Sequence, residues 1–426
     1  MTQPATHLVQ IEKPVYGGAF LARVEGKAVF VPLALPGEQA RVRIVEDKRG
    51  YATAEAEQIV TPAAERIAPT CRHFGQCGGC HYQHTSYETQ LKLKHAILRE
   101  TLERAGVSAP AEIHVLAGEP WGYRNRIRLA FDAAGNPGYR GGCSHAVIPI
   151  AECPIAAPLL IDSARAIADA ARQAKPTLRF KEISLFCSAD ATAILGTAFI
   201  AHHSKIRFEE FAQRLNTQIP ELAGIELVVE GRRDQQPRTL ARWGATSLMY
   251  RAAGFAYRVD HGAFFQVNRW LVDALVERVA AGRSGKIAWD LFAGVGLFAR
   301  RLTATFDSVI AVEAAPTATS ALAANLDGTN GKPVRSATLD FLRRNKTSQP
   351  DLIVVDPPRA GLGAEITSLL AEIKAHSILY VSCDPSTLAR DLHALTASGY
   401  AIGSVTLADL FPQTFHLETV VELRRS

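Results

Sequence analysis

Cys383 follows the apolar run Ser377–Val381 and precedes Asp384-Pro385-Ser386. Asp is a favoured helix N-cap and Pro a favoured first helical residue. This spacing predicts a thiol at the end of a strand, just ahead of a helix N-terminus. The partial positive charge there favours the thiolate, the nucleophilic form. A lone cysteine is more often a buried, inert one; its place at a strand end is what argues for covalent chemistry. Such catalysis needs a base to discharge the adduct. Glu418, in Phe415-His416-Leu417-Glu418-Thr419, opens the last strand and can serve. His416 is a local rival that the sequence does not separate from it.

Two further segments suit a cofactor. Asp290-Leu291-Phe292-Ala293-Gly294-Val295-Gly296 ends an apolar strand and opens a helix, and glycines at 294 and 296 allow a tight turn and close backbone approach to a ligand. With Ala299 the run also fits the loose dinucleotide fingerprint, so a nicotinamide cofactor competes. Glu313 ends the next strand, where a carboxylate can accept both ribose hydroxyls of any nucleoside-bearing cofactor. Asp356-Pro357-Pro358-Arg359 follows Leu352–Val355, at the carboxyl end of a strand, where open α/β sheets place ligands. An aromatic fourth residue would suit methylation of an exocyclic nitrogen; Arg359 disfavours it. A plain turn is the simpler reading of this tetrapeptide, but Pro-Pro at such a position is uncommon in one.

The seven cysteines are Cys71, Cys77, Cys80, Cys143, Cys153, Cys187 and Cys383. Their odd number and uneven spacing argue against a disulfide framework. Cys71-x5-Cys77-x2-Cys80 reads instead as a metal or cluster site. Structural zinc sites usually show paired C-x2-C knuckles, whereas one such pair with a C-x5 step suits an iron–sulfur cluster. From the residues alone the two metals stand about even. Cys143 and Cys153 compete for the fourth place.

The elements that must position these groups follow from patterning. At 426 residues the chain is too long for one ordinary core. With 47% hydrophobic and 21% charged residues it belongs with folded, soluble proteins. No apolar run approaches the ~18 residues of a membrane span, and the N-terminus lacks a basic stretch followed by an apolar one, so a cytoplasmic protein without membrane contact is expected. Nothing calls for an obligate protein partner, and a monomer is expected. The net charge of +5 permits a nucleic-acid partner without requiring one.

Residues 8–60 alternate apolar and polar positions between turns, as in a five-strand barrel of OB type. Lys and Arg number seven there, as do Asp and Glu, so the segment has no basic excess. A helix is expected over Tyr87–Ala105, and further helices over Ala156–Ala174 and Lys205–Leu215. Beyond residue 261 apolar strands (Ile287–Phe292, Val309–Glu313, Val334–Leu339, Leu352–Asp356, Ile378–Ser382 and Thr419–Leu423) alternate with helical patterns, the signature of a doubly wound α/β sheet. The expected division is 1–62, a β barrel; 63–260, a mixed α/β region with the cysteines; and 261–426, a Rossmann-like sheet. Arg124, Arg126 and Arg128 alternate, so they share one side of a strand. That side suits RNA phosphates, with Phe264 or Tyr123 stacking on bases, though a solvated charged face explains it nearly as well.

The ordered set of motifs resembles the uracil-C5 RNA methyltransferase family, in its 23S ribosomal-RNA branch with an N-terminal TRAM domain and a 4Fe-4S cluster. The resemblance spans essentially the whole chain. It rests on Cys71-x5-Cys77-Gly78-Gly79-Cys80, Trp121–Asn125, Glu152-Cys153-Pro154, Phe264–Asn268, Asp290–Gly296, Asp356–Arg359, Ser382–Pro385 and His416–Thr419. It implies S-adenosylmethionine contacts from Gln266, Phe292, Gly294, Gly296, Glu313 and Asp356, and from Asp340 on the adenine side. It implies Cys383 as nucleophile, Glu418 as base, and Cys71, Cys77, Cys80 and Cys153 as cluster ligands. Leu297 departs from the pattern, standing where a relative has Asn. The chemistry is coherent. Carbon 5 of uracil is a poor nucleophile until a thiolate adds at C6. Transfer RNA is the alternative target. A nicotinamide-dependent iron–sulfur oxidoreductase would leave Asp356–Arg359 and Cys383 idle, and a non-catalytic RNA-binding protein would not need Cys383 and Glu418.

Overall fold

The structure is a computed structural model and describes residues 6–142, 144–174, 178–201, 207–229 and 237–425. Its N-terminal part is β-rich. Six strands lie in the order Thr6–Gln10, Gln39–Asp47, Tyr51–Thr61, Lys27–Pro32, Ala19–Val24 and Lys13–Pro14. The sequence predicts five; the additional strand is the two-residue Lys13–Pro14, folded back onto Phe20–Leu21. Its turn, Tyr16-Gly17-Gly18, needs positive φ at Gly17 (106°) and Gly18 (88°), which glycine supplies without strain.

A seven-stranded sheet follows, from Arg126–Phe131 to Arg238–Gly244, with helices Pro158–Gln173 and Phe208–Gln218 alongside. The hairpin Ser247–Ala252/Phe255–Asp260 buries Leu248, Tyr250, Tyr257 and Val259 in the core of the C-terminal sheet.

That C-terminal sheet has eight strands in the order Gly331–Arg335, Phe306–Glu313, Gly285–Leu291, Leu352–Val355, Ser377–Ser382, Glu418–Arg425, Tyr400–Ala408 and His114–Leu116. The first five are parallel, and Glu418–Arg425 runs antiparallel to both neighbours. Runs such as Leu-Ile-Val-Val at 352–355 are fully buried, as sheets covered on both faces require. Strand order reverses between Gly285–Leu291 and Leu352–Val355. Chains leaving these two carboxyl ends diverge to opposite faces and open a crevice.

Two differences from the sequence expectation bear on the site. Residues from the central stretch join the C-terminal core: His114–Leu116 adds an edge strand, and Ile97, Leu98 and Leu102 pack in one cluster with Leu388, Leu392 and Leu395. Each such leucine contributes about 2 kcal/mol of transfer free energy. The second difference is a correction. The strand read as Val334–Leu339 ends at Arg335, and Thr338–Arg344 is helical, with Thr338, Phe341 and Leu342 buried at helical spacing. Asp340 therefore lies in a helical first turn, exposed, with Arg343 at 3.8 Å.

Candidate active site

The crevice at the strand reversal is built from backbone held open. After Leu291 the chain takes φ of 63° at Phe292, 55° at Gly294 and 89° at Gly296. A Cβ on Gly296 would stand 2.7 Å from Leu322 Cδ1, so only glycine fits there, whereas Gly294 faces open space. Phe292 pays steric strain for its left-handed backbone, a cost that recurs at ligand sites. Glu313 braces the loop: one carboxylate oxygen accepts from Gly294 N at 2.9 Å, and the other from Ala314 N and Ala315 N at 2.8 and 2.7 Å. A carboxylate offers about four acceptor positions, which leaves Glu313 capacity for ribose hydroxyls. Beneath the loop, fully buried Asp290 accepts from Ala299 N at 2.7 Å, while its Oδ1 has no partner among the described residues. Burial, opposed by the Ala299 N–H and aided by Asp356 and Glu313, pushes Asp290 up to about 8.

Gln266 enters from the other side. It is buried, and its Nε2 lies 3.5 Å from Asp356 Oδ2. Two asparagines fix this segment. Asn125 donates to the Gln266 carbonyl at 2.9 Å, and Asn268 donates to the Leu410 carbonyl at 3.2 Å.

Sheet register brings the candidate nucleophile and base together. Ser382 stands opposite Thr419 in an antiparallel pair, so Cys383 and Glu418 leave neighbouring strands at the same edge. Asp356 leaves the adjoining strand there too. Glu418 is buried, and that burial, with the charge of Asp356, raises its carboxyl well above the usual range against the pull of Arg359. Burial likewise pushes Asp356 up to about 7. The thiol of Cys383 is pushed up to about 11 by burial and then by Glu418 and Asp356, with Arg359 opposing. This corrects the expectation that the helix terminus favours the thiolate. The first N–H groups of helix Pro385–Ala397 are taken by Asp384, which accepts from Ser386 N and Thr387 N at 3.0 Å each. His416, the rival base, accepts at Nδ1 from Arg359 at 3.1 Å, and burial with that positive charge pushes it down to about 3.

The loop that delivers Glu418 is anchored by the cysteine region. His81 N and Tyr82 N donate to the Gln413 carbonyl at 2.8 and 3.1 Å, Tyr123 Oη donates to the Pro412 carbonyl at 3.0 Å, and Lys94 donates to Asp409 at 2.6 Å. Cys71, Cys77, Cys80 and Cys153 all line one cavity of about 40 Å³ with Arg124 and Tyr139. Their thiols are free. Burial pushes Cys80 up to about 12 and also raises Cys77 and Cys153. Among the described residues no three His, Cys, Asp or Glu side chains are gathered as ligands of a single metal ion. Cys143 lies outside the described residues.

The three arginines do not share one solvent-facing surface. Arg124 precedes the strand Arg126–Phe131 and lines the cysteine cavity. Arg126 lies over the Phe186 ring at 4.5 Å, its Nε buried without a partner among the described residues. Arg128 is exposed and paired with Glu182 at 2.5 Å. Alternation set the side of the strand, but neighbouring elements roof over two of the three. Tyr123 is fully buried and cannot stack on a base, whereas Phe264 is 62% exposed.

Comparison with known proteins identifies the lineage. Residues 86–426 match the model of the tRNA (uracil-5-)-methyltransferase family, and residues 5–56 match the TRAM domain. The chain belongs to the tRNA (uracil-5-)-methyltransferase family. It is 33% identical to an uncharacterized RNA methyltransferase of Streptomyces avermitilis, over 97% of both chains. It is 33% identical to the 23S rRNA (uracil(1939)-C(5))-methyltransferase RlmD of Aeromonas hydrophila, over 95% of this chain and 93% of that one. In fold it is similar to the Pyrococcus abyssi tRNA (uracil-54, C5)-methyltransferase in complex with S-adenosyl-L-homocysteine, with a TM-score of 0.78 at 23% identity over 98% of this chain and 100% of that one.

Membership in the uracil-5-methyltransferase family makes the chain an S-adenosylmethionine-dependent RNA uracil-C5 methyltransferase, and the nicotinamide oxidoreductase reading falls away. No described helix is long and apolar enough to cross a membrane. Sequence reasoning overlooked the bracing of the methyltransferase site by Asn125 and Asn268, although both lie in segments it singled out. It also overlooked Asp290, a buried acid with one oxygen unpartnered among the described residues, and Tyr16 beside Cys383. Only Gly17-Gly18 could have drawn attention to Tyr16.

Proposed function

We propose that this enzyme methylates carbon 5 of a uridine in 23S ribosomal RNA, with Cys383 as nucleophile and Glu418 as base. The observation that carries the reading is the register that sets Cys383 and Glu418 side by side at the sheet edge, next to Asp356. The Cys383 thiolate, formed when the thiol loses its proton to solvent, bonds through Sγ to C6 of uracil, and the ring π electrons move out to O4 as an enolate. Bound S-adenosylmethionine supplies an electrophilic methyl on a cationic sulfonium. Once carbon 5 is methylated, the Glu418 carboxylate takes its proton, the C6–S bond breaks, and the thiolate returns. Arg359 stabilises the thiolate and keeps His416 neutral.

The crevice fits the methyl donor. Its glycine loop leaves open space at Gly294, and acidic groups suit a cation. Gln266, Phe292, Gly294, Gly296, Glu313 and Asp356 would hold it. Asp340 is left out, since its carboxylate is exposed beside Arg343. Four thiols lining one cavity, with one C-x2-C pair, a C-x5 step and a distant fourth cysteine, support an iron–sulfur cluster held by Cys71, Cys77, Cys80 and Cys153. Phe264 and Arg128 are the exposed candidates for RNA contact. The proposed division is 1–62, 63–260 and 261–426, with residues of the 87–116 stretch packed into the catalytic sheet.

The test is an RNA carrying 5-fluorouridine, incubated with S-adenosylmethionine. Fluorine cannot leave as a cation, so a covalent complex should accumulate with the wild type and not with Cys383→Ala. Absence of a complex on 23S ribosomal RNA fragments would overturn the target. A complex on transfer RNA instead would support the second reading, which the family model and the archaeal fold relative favour.

A further inference from the structure

We propose that Tyr16, on a turn of the N-terminal β-rich region, is a positioning residue for the Cys383 nucleophile, so that this region forms a wall of the catalytic site. The inference rests on the reading of Cys383 as nucleophile.

Tyr16 Oη donates to the carbonyl of Cys383 at 3.3 Å, across 367 positions of chain. Its ring meets Phe415 edge-on, with centroids 5.6 Å apart, and Phe415 lies 4.2 Å from the His416 ring. One side chain therefore touches both reactive loops, the one that ends in Cys383-Asp384 and the one that leads to Glu418. Holding the Cys383 carbonyl fixes the peptide plane between the nucleophile and the helix cap Asp384. That plane sets the direction in which the thiol leaves the strand.

The approach is built into the turn. Gly18 has φ of 88°, and a Cβ there would stand 2.9 Å from His81 Cδ2 and 3.1 Å from Phe415 Cδ1. Glycine is the residue that lets the β-rich region, the cysteine loop and the base loop meet. On its other side Tyr16 borders a cavity of about 390 Å³, with Glu100, Arg104 and Ser386 among its walls. The hydroxyl contact therefore acts with the edge-on packing on Phe415 to set the position of the ring. Burial and the charge of Asp384 hold the phenol protonated, so it remains a donor.

The experiment uses full-length enzyme and a stem-loop RNA with 5-fluorouridine at the target site. Tyr16→Phe keeps the ring and removes only the donor. Adduct formation at saturating RNA should slow about tenfold to a hundredfold, with RNA affinity and melting temperature changed by less than about twofold and ~2 °C respectively. Tyr51→Phe, a change on the same β-rich region at a ring that packs on Phe30, should leave the rate unaltered. An unchanged rate in Tyr16→Phe, or a defect that saturating RNA removes, overturns the proposal and leaves the region an RNA-binding surface. Adduct formation by Cys383→Ala overturns the nucleophile assignment itself, and the Tyr16 proposal with it.

Discussion

Arg359 donates to Nδ1 of His416 at 3.1 Å, and this contact favours Glu418 over His416 as the proposed acceptor of the proton from carbon 5. A neutral imidazole whose free lone pair is already occupied, and which is pushed down to about 3, has little proton affinity to offer. Glu418 is buried with a raised carboxyl, a strong proton acceptor once ionised. Glu418→Gln should therefore lower turnover about 10²–10⁴-fold while methylated RNA–protein adduct accumulates on denaturing gels. His416→Asn should cost far less and trap nothing. Adduct accumulation in His416→Asn instead would reverse the assignment.

The thiol offers a second test, with a defined sign. Cys383 is pushed up to about 11 by burial and by the charges of Glu418 and Asp356, while Arg359 pulls it down. In the enzyme without methyl donor, alkylation by iodoacetamide should be slow at neutral pH and rise as pH approaches that value. Removing negative charge in Glu418→Gln or Asp356→Asn should speed alkylation at pH 8. Removing positive charge in Arg359→Ala should slow it. Alkylation followed by mass spectrometry checks all three, and an effect of the opposite sign in either carboxylate variant would refute the charge account.

What was legible in the sequence was local. Asp384-Pro385 marks a helix start, and Leu388, Leu392 and Leu395 mark its buried face; both appear as read. Alternation of apolar strands and helices gave the C-terminal sheet. Properties set by convergence were not legible. The protonation of Cys383 depends on carboxylates 27 and 35 positions away in the chain. Period two placed Arg126 on a side of its strand but could not show that Phe186 lies beneath it. The edge strand His114–Leu116 and its neighbour Tyr400–Ala408, both of mixed character, carry too little pattern of their own.

Buried Asp290 gives a pH signature. Its carboxyl is pushed from 3.8 up to about 8, by burial first. Between these values the unfolded chain has released a proton that the fold still holds. The native state binds more protons in that window, so stability falls as pH rises through it. Melting temperature of the enzyme without methyl donor should therefore drop between pH 5 and pH 8.5. Asp290→Asn, which keeps an acceptor for Ala299 N, should drop less. Parallel pH profiles for the two proteins would show that Asp290 is ionised throughout.

The proposed iron–sulfur cluster predicts iron in the cysteine cavity. Anaerobic reconstitution with iron and sulfide should load about four iron per chain and give broad visible absorption. Ser in place of Cys71, Cys77, Cys80 or Cys153 should each lower the loading. Cys143→Ser separates the competing fourth ligand, since loss of iron there and not in Cys153→Ser would overturn the assignment. Buried Cys187 lies elsewhere, and Cys187→Ser should load fully.

Lys94 and Asp409 form an ion pair with both side chains fully buried, 2.6 Å apart, and Lys94 also donates to the Phe411 carbonyl at 2.9 Å. Burial pulls the ammonium down, and Asp409 resists that pull. Such pairs add little net stability over an apolar substitute, but removing one partner strands a buried charge. Lys94→Met should therefore cost about 3–5 kcal/mol in urea unfolding, and Lys94→Met/Asp409→Asn should regain part of it. Because Asp409 begins the loop that ends at Glu418, the single variant should also lose turnover at temperatures where it remains folded. Equal stabilities for the single and double variants would mean that Asp409 finds another partner or takes up a proton when Lys94 is gone.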